Sequence, residues 1–180
     1  AVFELTPAAR IVHEWFGKTV IRSARRFTYE EAQQIILTQQ GDHAKEILLV
    51  DQLAKKLRKE RMKEGALEVQ STEVRFELNE AGFPIKVVKK IIQDSNKLIE
   101  EFMLLANRRV GSFVGDPKRQ PRVQCIYRVH DRPDPEKVEQ FRVFISKFGK
   151  NFSYKDEQDI ARQMNRIFDE MRDEPSYNMI

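Results

Sequence analysis

One cysteine and three scattered histidines leave little material for metal or thiol chemistry in this 180-residue chain. A lone Cys125 excludes an internal disulfide and any zinc site built from several thiolates. It sits in the apolar run VQCIYRV, where a buried, inert thiol is expected. There is no HExxH, paired CxxC, Gly-rich phosphate loop or GxSxG, so metalloprotease, nucleotide-hydrolase and serine-hydrolase readings have nothing to stand on. His130 and Asp131 are adjacent, but neighbouring side chains diverge, and a capped turn explains them better. No apolar run approaches the roughly 18 residues that cross a bilayer, and the first residues lack a charged-then-apolar signal pattern. The expectation is a soluble chain in a reducing, cytoplasmic compartment, with no membrane partner.

Charge of one sign is also scarce. Lys and Arg number 32 against 28 Asp and Glu, a net charge of +4 that permits a polyanionic partner without requiring one. With 41% hydrophobic residues the chain is long enough for one good core, and one domain or a large piece of one is expected. It opens without Met on AVFELT, which alternates like a strand already under way, and closes on SYNMI without a stop signal. A segment excised from something longer is expected.

Residues 1–27 read as mostly extended, broken at Pro7, with Gly17 marking a turn or bulge. Thr28 and Glu31 form a capping-box pattern opening a helix to about Gln40. Gly41 and Asp42 separate it from a helical stretch over 43–64 with Val50, Leu53 and Leu57 in an apolar stripe. EVRFEL, NEAG and FPIKVVKKI predict a hairpin, and VQCIYRV (123–129) a short strand. Asp134 and Pro135 open a helix over 135–148, and a last helix fills 155–172.

Between these lies SNKLIEEFMLLANRRV (95–110), a helix whose Ile99, Phe102, Met103, Ala106 and Val110 recur at helical spacing, with Gly111 and Gly115 loosening its end. At about 100° per residue, Asn96, Glu100 and Asn107 project together beside that apolar face, and Lys97 and Glu101 fall on the far side. A carboxylate satisfied at the edge of a core is the plain explanation of Glu100. Four basic stretches offer contacts to nucleic acid. RSARRFTY (22–29) interleaves Arg22, Arg25 and Arg26 with Phe27 and Tyr29, a mixture of cation and ring that holds a phosphate backbone and stacks on a base. KKLRKERMK (55–63) spreads its charges around a helix and reads better as a solvated face. RRVGSFVGDPKRQPR (108–122) and IYRVHDRP (126–133) add a basic loop and Arg128, His130 and Arg132.

HEWFGKTVIRSARRFTYEEAQ, DSNKLIEEFMLLANR and IYRVHDRPDPEKVEQFRVFISKFG, in that order and spacing, resemble the middle of the catalytic domain of the ribonuclease II / ribonuclease R family, nearest to bacterial ribonuclease R. The resemblance covers almost the whole chain. It implies a processive hydrolytic exoribonuclease that shortens single-stranded RNA from its 3′ end to nucleoside monophosphates. Tyr29 matches a family tyrosine near the terminal nucleotide, and Glu100 a glutamate at the same catalytic cavity. Arg26 and Asn96 are expected to contact the nucleic acid. Arg128 and His130 match the family's YRxHD pattern, in RNA contact or in packing. One ring of a base clamp comes from near Val69 in the family, and valine there cannot supply it.

The resemblance further implies Mg²⁺ chemistry in the parent enzyme, its aspartate cluster upstream of AVFELT and a phosphate-supporting arginine downstream of SYNMI. No metal is expected on this chain. The fold expected is α+β, several helices packed around a small antiparallel sheet, with residues 1–180 a central fragment of one ribonuclease II-type catalytic domain, inactive alone. A non-catalytic RNA-binding module and a structural helical domain are the rival readings.

Overall fold

The computed structural model describes residues 1–68, 74–89, 91–118, 124–172, 174, 175 and 177. Contacts divide the chain into two units, Ala1–Glu60 with Ile92–Val129, and Arg61–Ile91 with His130–Ile180.

In the first unit, alternation in the opening residues produces strand β1 (Val2–Leu5), paired antiparallel with β2 (Ile11–Trp15). Val2 faces Trp15 and Phe3 faces Glu14, until the register slips at Glu4/Leu5. Gly17 then lies under the Trp15 ring, where a Cβ would come within 2.4 Å of a ring carbon. The Thr28–Glu31 pattern acts as read: Thr28 Oγ1 accepts the Glu31 N–H at 3.1 Å, and the Glu31 carboxylate accepts the Thr28 N–H at 2.8 Å. Helix α1 (Tyr29–Thr38) follows. Helix α2 (Ala44–Lys63) begins in this unit, and helix α3 runs over Asp94–Gly115. The core of the unit gathers Ile36 of α1, Ala54 of α2 and Leu98 of α3, flanked by Ile47, Val50 and Phe102.

The buried face of α3 differs from the periodicity reading. Ser95, Leu98 and Glu101 are buried, whereas Ile99 and Met103 are exposed. Periodicity ranks positions by hydrophobicity alone. Here the Arg58 guanidinium from α2 stands 3.6 Å from the Glu101 carboxylate and lets a charged residue, 3% exposed, take a core position. On α2 the same holds for Asp51, buried beside the apolar stripe with Lys55 at 2.8 Å.

Helix α3 runs past Gly111 and ends at Gly115, where the two glycines were expected to loosen it. Residues 124–129 carry no strand, and Cys125 is exposed, which corrects the expectation of a strand with a buried thiol. Tyr127 explains both findings. Its hydroxyl donates to the Gly111 carbonyl at 3.1 Å, and a Cβ on Gly115 would stand 2.7 Å from that hydroxyl. The two glycines clear a lane on α3, and the segment is held by a ring instead of a β-ladder.

The second unit contains the predicted hairpin, β3 (Val74–Leu78) antiparallel to β4 (Pro84–Lys89), with Phe76 opposite Val87. Asn79 Oδ1 accepts the N–H groups of Ala81 and Phe83 and shapes the turn. Helix α4 (Pro135–Ser146) starts with Asp134 as cap and Pro135 in the first turn. Helix α5 (Glu157–Met171) is capped by Asp156. Ile145, Ile167 and Met171 are fully buried here among Val138, Phe152 and Ile160, with Phe141 edge-on to Phe152 at 5.3 Å. The α+β class therefore holds, its antiparallel strands divided between two hairpins. Among the described residues no helix is long and apolar enough to cross a membrane.

Candidate nucleic-acid interface

Three arginines in RSARRFTY are equivalent to a reader of composition, but the structure separates them. The Arg25 guanidinium donates to Asp42 at 2.7 Å and to Glu31 at 3.3 Å, and lies 4.5 Å from the centre of the Phe27 ring. Phe27 in turn meets the His43 ring edge-on at 6.2 Å. The Arg25 hydrogen bond holds the Asp42 carboxyl below its usual range, while Glu31 is lowered first by the Thr28 N–H and then by the Arg25 charge. Arg25 thus ties the loop to the start of α1 and to the turn before α2, and its cation is committed within the chain. Arg26 is exposed, and Tyr29, the first residue of α1, presents a 47% exposed side chain. With Arg22 also exposed, that combination offers two cations and one ring to a ligand.

On α3 the two neighbouring acids divide. Glu101 is buried against Arg58, and Glu100 is exposed. Asn96 is half-buried, and its side-chain oxygen accepts the Gln93 N–H at 3.0 Å, capping the helix. Lys55 bridges Asp51 at 2.8 Å and Asp94 at 3.1 Å, which raises its pKa, the Asp51 hydrogen bond first. A small cavity opens among Asp51, Lys55, Arg58, Asp94, Lys97 and Glu101. Its acids face cations within the chain, so a divalent ion there would compete with Lys55 and Arg58. The residues at this cavity do not fit a magnesium site. Among the described residues no group of three or more His, Cys, Asp or Glu comes together to hold a metal.

Helices α1 and α3 pack directly on each other. The contact includes a buried hydrogen bond, the Ser95 N–H donating to Gln33 Oε1 at 3.0 Å. Tyr29 and Glu100 therefore stand on two helices in contact. Arg128 is exposed on the segment that Tyr127 ties to α3. Arg26, Tyr29, Asn96, Glu100 and Arg128 fall in one unit, while His130, also exposed, belongs to the other. Val69 lies outside the described residues, as do 119–123 of the basic loop.

Sequence reading missed Gln33, Asp51 and Glu101. The Asp51–Lys55 spacing of four was a visible sign of a paired acid. Gln33 had no such sign, because its partner is 62 residues away.

Known proteins agree with this architecture. DIS3-like exonuclease 2 of Schizosaccharomyces pombe is 35% identical over 153 residues, covering 77% of this chain and 16% of the relative. The inactive exonuclease DIS3L2 of Arabidopsis thaliana is 25% identical over 189 residues, covering 96% of this chain and 18% of the relative. The chain thus spans less than a fifth of either protein's length. Mycoplasma genitalium ribonuclease R, solved in complex with ribose-methylated single-stranded RNA, superimposes with a TM-score of 0.82 at 21% identity, over 98% of this chain and 28% of that one, and shares its fold. The RNB domain profile matches residues 1–180, and the chain accordingly belongs to the RNB-domain family of ribonuclease II and ribonuclease R type.

Proposed function

We propose that residues 1–180 are a central part of the nuclease domain of a processive hydrolytic 3′-to-5′ exoribonuclease, and that they form part of the wall along which single-stranded RNA reaches the catalytic centre. The observation that carries this reading is an RNB match over the whole chain, joined to an exposed Tyr29 and an exposed Glu100 on two helices packed together.

In this reading the Tyr29 ring stacks on or orients the terminal nucleotide, and the Glu100 carboxylate accepts hydrogen bonds from its sugar hydroxyls. Arg26 and Arg128 neutralise backbone phosphate, while Asn96 and His130 contribute further polar contacts along the strand. Mg²⁺ would supply water activation and leaving-oxygen stabilisation in the parent enzyme. Its ligands are assigned to other parts of the domain, since Asp51 and Glu101, the buried acids among the described residues, are already paired. The chain alone is therefore proposed to be inactive. A cytoplasmic location belongs to the same proposal.

A non-catalytic RNA-binding module is the second reading, favoured by the plant relative whose name declares it inactive. The deciding experiment incubates a 5′-labelled single-stranded RNA with Mg²⁺ and either this chain or the full-length parent. Stepwise shortening by the parent alone supports the nuclease-wall reading. Cleavage by the isolated chain would overturn the assignment of the metal-holding carboxylates to other parts of the domain, and binding without cleavage by both proteins would establish the second reading.

A further inference from the structure

We propose that Gln33 is a positioning residue, which fixes the helix bearing Tyr29 relative to the helix bearing Glu100 by capping the start of α3 from α1. The inference rests on the nuclease-wall reading of those two residues and adds a part that no spacing in the sequence announced.

The N–H groups of a helix's first turn have no partner inside the helix. At the start of α3, Ser95 is 2% exposed, so water cannot serve its N–H. The acceptor is supplied by α1: Gln33, itself 7% exposed, receives that N–H on Oε1 at 3.0 Å. A neutral carbonyl aimed at a helix N-terminus also meets the positive end of the helix dipole, which favours it further. An apolar side chain in place of Gln33 would leave a buried donor unsatisfied, so the two helices have a specific relative position at which the bond is made. Greasy contacts between Ile36 and its neighbours in the core tolerate sliding much better.

The registers give the bond its functional reach. Tyr29 precedes Gln33 by four residues, one turn away on the same side of α1, about 6 Å along the axis. Glu100 follows Ser95 by five residues, about 7.5 Å along α3 and about 140° around its axis, which carries it from the α1 contact out to solvent. The bond is thus made between short, rigid levers to both groups. Because turnover is sensitive to misplacements on the scale of 1 Å, releasing it is expected to disturb catalysis while distant RNA contacts keep their affinity.

The test uses the full-length parent protein and a labelled single-stranded RNA, with four proteins compared: wild type, Tyr29→Ala, Gln33→Met and Gln33→Glu. Methionine keeps the length and removes the acceptor, whereas a glutamate keeps an acceptor at the same place. The expected result for Gln33→Met is a shift in the lengths of the final products in the direction seen for Tyr29→Ala. Its kcat should fall about 10-fold with KM changed less than about 2-fold. Gln33→Glu is expected to restore the wild-type product pattern. Assays run well below each variant's thermal midpoint, where a purely structural role would leave product length untouched. Should Gln33→Met fail to fold, Gln33→Asn, which withdraws the amide by one methylene, is read by the same criteria. A wild-type product pattern in the acceptor-deleted variant beside a shifted one in Tyr29→Ala overturns the proposal and leaves the nuclease reading standing. An unshifted pattern in Tyr29→Ala overturns the role of Tyr29 itself, and the role of Gln33 with it.

Discussion

Glu100 and Glu101 are adjacent and chemically identical, yet a rotation of about 100° gives them opposite environments. Glu101 is 3% exposed beside Arg58, and Glu100 faces outward. Glu101→Ala would remove the carboxylate that stands 3.6 Å from the Arg58 guanidinium, 18% exposed, and empty a core position, and is expected to cost about 3 kcal/mol of stability in a denaturant titration. Glu100→Ala should stay within about 1 kcal/mol of wild type by the same titration, while lowering RNA turnover in the parent enzyme. Equal destabilisation by both substitutions would reverse the assignment of wall and core. Helical spacing set Glu100 beside the apolar face and Glu101 on the far side, the reverse of their burial. Their roles depend on which side of α3 meets α2, and that is settled by the Arg58 partner and not by hydrophobic periodicity.

At the scale of elements, β2 is pinned to α3 by a two-pronged ion pair, Arg109 donating to both oxygens of Glu14 at 2.7 and 2.6 Å. The Arg109 hydrogen bond lowers the Glu14 pKa, and the Arg109 pKa rises in return. With the carboxyl depressed in the folded state, the unfolded chain binds more protons as pH falls through about 4. The pair's contribution is therefore complete above that value and disappears as pH drops through the lowered folded pKa. Glu14→Gln should flatten the dependence of unfolding free energy on pH between about 5 and 3, measured by urea melts at successive pH values. An unchanged slope would remove the pair from the stability of this unit.

Elements differ in how far the sequence foretells them. The capping box at Thr28, the Asp134–Pro135 start and the Asn79 turn are local, each closing within four residues, and all were legible. Residues 124–129 were not. Their apolar composition fits a strand, but a ladder needs a partner edge, and Tyr127 instead found the glycine lane on α3.

On the scale of the whole molecule, charge is the property most open to measurement. The net charge of +4 is spread over many residues, and a cation such as Arg25 is committed internally, so the total overstates what the proposed RNA ligand could use. The exposed Arg26 and Arg128 are the cations assigned to phosphate. Replacing both by Gln in the parent should reduce the magnitude of the slope of log affinity against log salt by about 1.4, two contacts at about 0.7 each for single strands. An unaltered slope would place the phosphate contacts elsewhere.

Class, the order of the helices and the two hairpins, and the candidate residues Arg26, Tyr29, Asn96, Glu100, Arg128 and His130 were available from the amino-acid sequence, because capping patterns, helical periods and long ordered motifs are written in contiguous residues. The tertiary structure alone decided that Arg25 is an anchor, that Glu101 and Asp51 are core acids, that five of the six candidates share one unit, and that Gln33 joins the helices bearing Tyr29 and Glu100. The reason is physical: whether a charge or an amide is exposed or satisfied depends on partners brought together from distant parts of the chain, and no local pattern encodes a bond between residues 33 and 95.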